Sequence, residues 1–267
     1  MQKIGFIGCG KMAKAIIKGT VNKGFVASES IMATKSSPNN LEELSKELGI
    51  NIFLDNKFLV KSCNVIFLAV KPNQIEIVLE EIKEFITPDK LIVSVSAGVT
   101  TNFIESKLAE GVKVIRVMPN TPVLVGEGMC GICSGKNVDE TDLDFVEKLF
   151  STIGKSILVD ESQMDIVTAI SGSGPAFFYK VINDIARAGE NLGLEYEKAL
   201  LLSVQTALGS AKMAMNREVS MEELISNVAT KGGCTRVGVD VMEEFDTTKV
   251  FADVIAKTTQ KAYELGK

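Results

Sequence analysis

Four stretches of the chain are apolar almost throughout rather than at alternate positions: Ile4-Gly5-Phe6-Ile7, Val65-Ile66-Phe67-Leu68-Ala69-Val70, Leu91-Ile92-Val93-Ser94-Val95 and Val114-Ile115-Arg116-Val117. Such runs predict strands buried on both faces, as in a parallel sheet covered by helices. Helical spacing fills the intervals. Ala13, Ile16, Ile17, Thr20 and Val21 follow the first run, and Ile75, Val78, Leu79 and Ile82 follow Lys71-Pro72. Ser37-Pro38 opens a further helix carrying Leu41, Leu44 and Leu48, closed by Gly49. Residues 28–34 predict the second strand and residues 155–159 the last. From about Glu161 onward the pattern is helical. The expectation is an α/β chain: a parallel-sheet domain over residues 1–160, then an all-helical domain over residues 161–267.

One helix of the second half is unusual. Residues 199–215 are apolar on nearly every face, with Leu200, Leu201, Leu202, Val204, Leu208, Met213 and Met215. A helix of that kind needs burial all round, and a helical segment of about a hundred residues has few places to provide it. A subunit interface is expected, a well-packed monomer core being the alternative. Ser220-Met221-Glu222-Glu223 reads as a capping box, and Val250, Phe251, Val254, Ile255, Ala262 and Leu265 give the final helix one apolar face.

The first strand runs directly into Gly8-Cys9-Gly10-Lys11-Met12-Ala13. A strand, a tight glycine turn and a helix read as a Rossmann-type dinucleotide site, an ordinary β-to-α turn being the competing reading. Gly8 allows the turn, Gly10 lets backbone approach a pyrophosphate, and Ala13 permits close packing of helix on strand. The helix N-terminus then supplies unpaired N–H groups and a positive dipole end to the phosphates. Where enzymes that prefer NAD carry an acid at the end of the second strand, this chain has Thr34-Lys35-Ser36-Ser37. A cation among hydroxyls suits a 2′-phosphate and favours NADP(H) over NAD(H); a solvated lysine in a polar turn is the competing reading. The later strands end at Ala69-Val70-Lys71, Ala97-Gly98 and Asn120, all at the carboxyl edge of the sheet where ligands bind in open α/β folds.

Composition narrows the chemistry. The chain has 267 residues, 46% of them apolar, and a net charge of −5 without a basic stripe, so nucleic acid is not an expected partner. No uncharged apolar run approaches the ~20 residues of a membrane span. The sequence passes from Met-Gln-Lys into the first strand with no room for a signal peptide, and a cytoplasmic location is expected. Five cysteines suit reduced thiols rather than a disulfide framework. Cys130-Gly131-Ile132-Cys133 lacks the second pair or the histidines that zinc requires, so it reads as small apolar residues of a buried strand, and no metal is expected. The chain contains no histidine at all, so any proton donor must be Lys, Cys, Tyr, a carboxyl group or water.

Two glycine-bearing segments interrupt the helical half: Ala169-Ile170-Ser171-Gly172-Ser173-Gly174-Pro175-Ala176 and Val228-Ala229-Thr230-Lys231-Gly232-Gly233-Cys234-Thr235. The second leads into a helix marked by Val237, Val241 and Phe245. It is either an anion-binding loop with Lys231 adding charge or an ordinary helix–helix turn. With Gly8-Cys9-Gly10-Lys11-Met12-Ala13, Ala69-Val70-Lys71-Pro72 and Met118-Pro119-Asn120-Thr121-Pro122 in order before them, these segments resemble the pyrroline-5-carboxylate reductase family over nearly the whole chain.

The resemblance implies an intertwined homodimer, often in a ring of dimers. It also implies reduction of the C=N bond of 1-pyrroline-5-carboxylate to L-proline by hydride from NADPH or NADH. It assigns Gly8, Gly10, Lys11, Met12, Ala69 and Val70 to the cofactor, Asn56 to the adenosine ribose, and Thr34, Lys35 and Ser36 to the 2′-phosphate. Lys71, Ala97 and Asn120 are assigned to the nicotinamide, with Lys71 and Thr235 nearest the chemistry. Thr230, Gly232, Gly233, Cys234 and Thr235 are assigned to the substrate. A protonated cyclic imine accepts hydride without a strong general acid, so a chain lacking histidine suffices.

The chain departs from the family pattern Ser-Pro-Gly-Gly-(Thr or Ala)-Thr: Thr230 stands for serine, Lys231 for proline and Cys234 for the small residue. Two alternative functions follow different features. One is an NADP-dependent reductase of another imine or short oxo acid; a β-hydroxyacid dehydrogenase of similar architecture would carry a Lys-x-x-Asn pair, which Lys180 and Asn183 superficially supply, an exposed Lys and Asn on an amphipathic helix being the competing reading. A non-catalytic NADP(H) sensor would keep the cofactor motifs and lose the carboxylate loop, whereas Gly232, Gly233 and Thr235 are present.

Overall fold

A computed structural model of the chain describes residues 2–266. The first apolar run forms β1 (Ile4–Ile7), buried at every position, and the glycine turn leads into α1 (Lys11–Asn22). Gly8 sits at φ +95°, and a Cβ there would lie 2.7 Å from the Ala69 carbonyl oxygen, so both backbone angle and space demand glycine. The second strand, β2 (Ile31–Thr34), starts later than the sequence pattern predicts because residues 28–30 close into a 3-10 turn. The next helix, α2 (Leu41–Leu48), begins after Asn40 rather than at Pro38; Asn40 occupies the left-handed region, and Gly49 ends the helix there too.

Next come the short strand β3 (Asn51–Phe53), α3 (Asn56–Ser62), β4 (Val65–Leu68), α4 (Pro72–Ile82), β5 (Leu91–Ser94), α5 (Thr101–Lys107) and β6 (Lys113–Met118). The sheet is completed by β7 (Gly128–Ser134), α6 (Glu140–Ser151) and β8 (Gly154–Leu158). Its order is β3-β2-β1-β4-β5-β6-β7-β8, parallel except where β7 runs antiparallel to β6. One face packs Phe6, Ile16, Ile17, Phe67 and Phe150, with the Phe6 and Phe67 rings stacked at 4.4 Å. The other packs Ile7, Leu59, Ile66, Leu79, Ile92 and Ile104. The buried runs thus lie between two helical layers, as the unbroken apolar pattern requires.

After β8 the chain is helical: α7 (Met164–Val167), a π turn over Thr168–Gly172, α8 (Gly174–Asn191), α9 (Tyr196–Met215), α10 (Met221–Val228), α11 (Cys234–Glu244) and α12 (Thr247–Leu265). The Ser-Gly-Ser-Gly segment is therefore a widened helical turn rather than a loop. The chain divides into two compact units, one running to Ser173 and resuming at Thr258, the other Gly174–Lys257.

Within the second unit α8 and α9 pack as a hairpin. Tyr196 donates to Asn183 Oδ1 at 2.9 Å, and the Arg187 guanidinium lies 4.3 Å from the Tyr196 ring centre. Ser220 caps α10 by accepting from the Glu223 N–H. The apolar residues of α9 find no monomer core: Leu201 is 69% and Leu202 61% exposed, and Leu208, Met213 and Met215 are bare as well. Surface of that kind marks an association face.

Candidate active site

Strand order reverses direction between β1 and β4, and a cleft of about 560 Å³ opens there along the carboxyl edge of the sheet. Gly8 and Gly10 line it from the first turn, and Thr34, Lys35 and Ser36 from the end of β2. Asn56 borders it from α3, and Ala69, Val70 and Lys71 from the end of β4. Lys71 is the extended N-cap residue of α4, where Pro72 sets the first helical position. Lys11 and Met12 open α1 immediately behind Gly10, outside the cleft wall. Ala97 and Asn120 lie beyond β5 and β6 on the same edge of the sheet, also outside the wall.

Gly10 tests whether a dinucleotide fits. Its φ is −80°, a value open to any residue, and a Cβ added there meets no protein atom within 4 Å although the position faces the cleft. Nothing in the protein requires glycine at this place; the space suits a pyrophosphate against the first N–H groups of α1.

Polar side chains at the far end are already oriented. The Thr34 hydroxyl donates to Asn56 Oδ1 at 2.6 Å, and Asn56 Nδ2 donates to Glu81 Oε2 at 2.8 Å. Lys35 reaches the Asn39 carbonyl oxygen at 2.7 Å, while its backbone N–H is taken by Phe53. Sequence reasoning missed Glu81 together with Gln74, Ile77 and Val78 of the same wall. Their i, i+3, i+4, i+7 spacing is a second stripe on α4, next to the core stripe of Ile75, Leu79 and Ile82, and nothing in the spacing says which stripe borders a ligand.

Asn120 is buried and held through both amide atoms: its Oδ1 accepts the Met129 N–H at 2.9 Å and its Nδ2 donates to the Ser171 carbonyl at 3.1 Å. Its second amide hydrogen takes no part in these two bonds.

Thr230, Gly232, Gly233, Cys234 and Thr235 gather at the α10–α11 turn of the second unit. Gly232 takes φ +78°, the Gly233 N–H closes on the Thr230 carbonyl at 3.0 Å, and Gly233 caps α11 without any side-chain hydrogen bond. The first N–H groups of α11 are thereby open to an anion beside the exposed side chains of Thr230, Lys231 and Thr235. Arg236 on the next position is committed to Asp240 and Glu243. Lys180 and Asn183 do not form a catalytic pair: Lys180 binds Asp184 and Asn183 accepts from Tyr196.

Cys130 and Cys133, the two thiols of the Cys-x-x-Cys segment, are both buried. Burial pushes the Cys130 thiol up to about 12; at Cys133 burial, aided by the Glu161 carboxylate, does the same. No group of three metal-ligating side chains occurs among the described residues. No helix there is long and apolar enough to cross a membrane.

A doubly wound sheet with a glycine-lined cleft at its switch point defines a nucleotide-binding α/β protein of the Rossmann class. A family model described as pyrroline-5-carboxylate reductase dimerisation matches residues 161–265, and one described as NADP oxidoreductase coenzyme F420-dependent matches residues 3–98. A pyrroline-5-carboxylate reductase of Methanosarcina acetivorans is 40% identical over 266 residues, 100% of this chain and 98% of its own. Pyrroline-5-carboxylate reductase 1 of Bacillus subtilis is 35% identical, covering 100% of this chain and 90% of its own. The structure of a pyrroline-5-carboxylate reductase from Coxiella burnetii matches with TM-score 0.94 at 34% identity, covering 100% of this chain and 99% of the other. That of the Plasmodium falciparum pyrroline carboxylate reductase with NADP bound matches with TM-score 0.89 at 33% identity, covering 100% and 98%.

The chain belongs to the pyrroline-5-carboxylate reductase family. It is an NAD(P)H-dependent oxidoreductase that reduces pyrroline-5-carboxylate to proline, with NADP(H) as cofactor. It carries the family's dimerisation domain and is a homo-oligomer.

Proposed function

We propose that the reduction is carried out by two groups of residues acting on two reactants. The cleft of the first unit takes the cofactor, with Gly8, Gly10, Lys11 and Met12 at the pyrophosphate and Asn56 at the adenosine ribose. Thr34, Lys35 and Ser36 take the 2′-phosphate, which gives the preference for NADPH while leaving NADH usable. Lys71, Ala97 and Asn120 take the nicotinamide end. The bound cofactor supplies a hydride. The open N–H groups of α11, with Thr230, Gly232, Gly233 and Cys234, hold the substrate carboxylate, and the Thr235 hydroxyl donates to the carboxylate or the ring-nitrogen side. Positioning of the two reactants is the main catalytic contribution, since the imine nitrogen needs no strong acid and water can supply its proton.

The observation that carries this reading is the space facing the cleft at Gly10, which no protein atom fills. The functional division we propose is a nucleotide-binding domain, residues 1–160, and a substrate and dimerisation domain, residues 161–267. Dimers formed through the bare α9 assemble into a ring in the cytoplasm.

The direct test follows NADPH oxidation at 340 nm with pyrroline-5-carboxylate for the parent and Thr235→Ala. Losing one hydrogen bond to a charged reactant lowers turnover by about tenfold or more, with NADPH affinity unchanged. An unaltered rate removes Thr235 from the mechanism.

A further inference from the structure

Arg116 lies inside the sheet, on β6, with a side chain only 3% exposed. Its Nη1 is 3.6 Å from Glu161 Oε1 and its Nη2 is 3.8 Å from Asp165 Oδ1, and Nη2 has no hydrogen-bond partner. A buried guanidinium held this loosely is not a stabilising ion pair in its own right. The short contacts of Glu161 go elsewhere. Its Oε1 accepts the Thr101 N–H at 2.7 Å and its Oε2 accepts the Thr101 hydroxyl at 2.6 Å, with Thr101 itself buried. One carboxylate therefore takes both donors of the first residue of α5, and the Arg116 guanidinium lies beside it on the buried side.

Thr101 closes the loop that leaves β5, and the same loop is held at two further points. Ser96 donates its hydroxyl to the Val70 carbonyl at 2.7 Å, and Val70 is a wall residue of the cofactor cleft. Gly98 takes φ +76°, and a Cβ there would lie 2.9 Å from the Gly266 backbone nitrogen, so the chain's final helical turn backs the loop closely. Ala97 sits between the Ser96 and Gly98 anchors.

We infer that Glu161, held by Arg116, is a positioning residue that acts through Thr101 to set the Ala97–Gly98 loop against the nicotinamide end of the cofactor cleft. The inference rests on the reading that Ala97 borders the nicotinamide.

The test compares Glu161→Ala, Glu161→Gln, Thr101→Val and Ala97→Leu with the parent. NADPH and 2′,5′-ADP are the binding probes, the latter carrying only the adenosine end, and kcat and KM are measured with pyrroline-5-carboxylate. In Glu161→Ala the Kd for NADPH rises about tenfold and kcat falls, while the Kd for 2′,5′-ADP stays within about twofold. Glu161→Gln restores most of the loss, because its oxygen still accepts the Thr101 N–H and the hydroxyl can turn to accept from the amide. Thr101→Val, which keeps the N–H contact and the buried volume, shifts NADPH binding in the same direction by about threefold and serves where Glu161→Ala does not fold. Equal weakening of both probes, or none, in Glu161→Ala and Thr101→Val overturns the inference. Ala97→Leu separates it from the underlying reading. If Ala97→Leu weakens NADPH alone and the Glu161 and Thr101 variants do not, the positioning role is wrong. If Ala97→Leu leaves NADPH binding untouched, the placement of the nicotinamide is wrong and the inference falls with it.

Discussion

The Asn120 side chain joins two segments 51 positions apart by donating to the carbonyl oxygen of Ser171. Because its other amide atom accepts from Met129, one residue at the end of β6 satisfies a donor and an acceptor that would otherwise be unpaired. Asn120→Ala leaves both without a partner and costs about 2–4 kcal/mol, one desolvated backbone group each. Urea unfolding at fixed protein concentration measures it, and Asn120→Asp is also destabilised because it sets an oxygen against the Ser171 carbonyl.

Lys35 lines the cleft at the end of β2, where we propose that the 2′-phosphate lies. Lys35→Ala lowers kcat/KM with NADPH by about tenfold and leaves NADH nearly unchanged. A parallel loss with both cofactors would show that the lysine serves the fold of the turn, where it reaches the Asn39 carbonyl.

Thiol reactivity reports on the α10–α11 turn, the proposed substrate loop. Burial raises the Cys9 thiol and pushes Cys63 to about 11, with Cys130 and Cys133 at about 12, so at pH 8 these four are neutral and shielded. Cys234 is exposed at the start of α11. An aromatic disulfide reagent therefore labels one thiol per chain rapidly, Cys234→Ser removes that phase, and a carboxylate analogue of the substrate slows it.

Asp139 caps α6 and binds Lys113, whose hydrogen bond, followed by that of the Asp142 N–H, lowers the carboxyl from 3.8 to about 2. A carboxyl depressed in the folded state stabilises the protein fully above its unfolded value and loses that contribution as pH falls. The window is 3.8 down to about 2. Asp139→Asn keeps an N-cap oxygen and flattens the acid unfolding curve in that interval, which thermal unfolding against pH detects.

The bare face of α9 predicts the oligomer's weak point. Leu202→Glu places a charge on it without disturbing a monomer core, since Leu202 is 61% exposed. Sedimentation shows smaller particles for the variant and an unchanged helical content by circular dichroism.

By itself the sequence determined whatever depends on neighbours along the chain. Unbroken apolar runs bounded by turn residues predicted strands buried on two sides, Gly8 marked the tight turn after the first of them, and the two glycines before Cys234 marked a helix start. The all-round apolar pattern of residues 199–215 left a subunit interface or a monomer core open, and the exposure of Leu201, Leu202 and Met213 on α9 favours the interface. Tertiary structure alone decided relations between distant residues. It turned β7 antiparallel, because the link 119–127 is too short for a parallel crossover. It brought Glu81 to Asn56 across 25 positions and Glu161 to Thr101 across 60. A carboxylate on a helix looks the same in sequence whether it meets water or a backbone amide. Only the packing of elements determines which donors it reaches and whether the surrounding dielectric gives the contact weight.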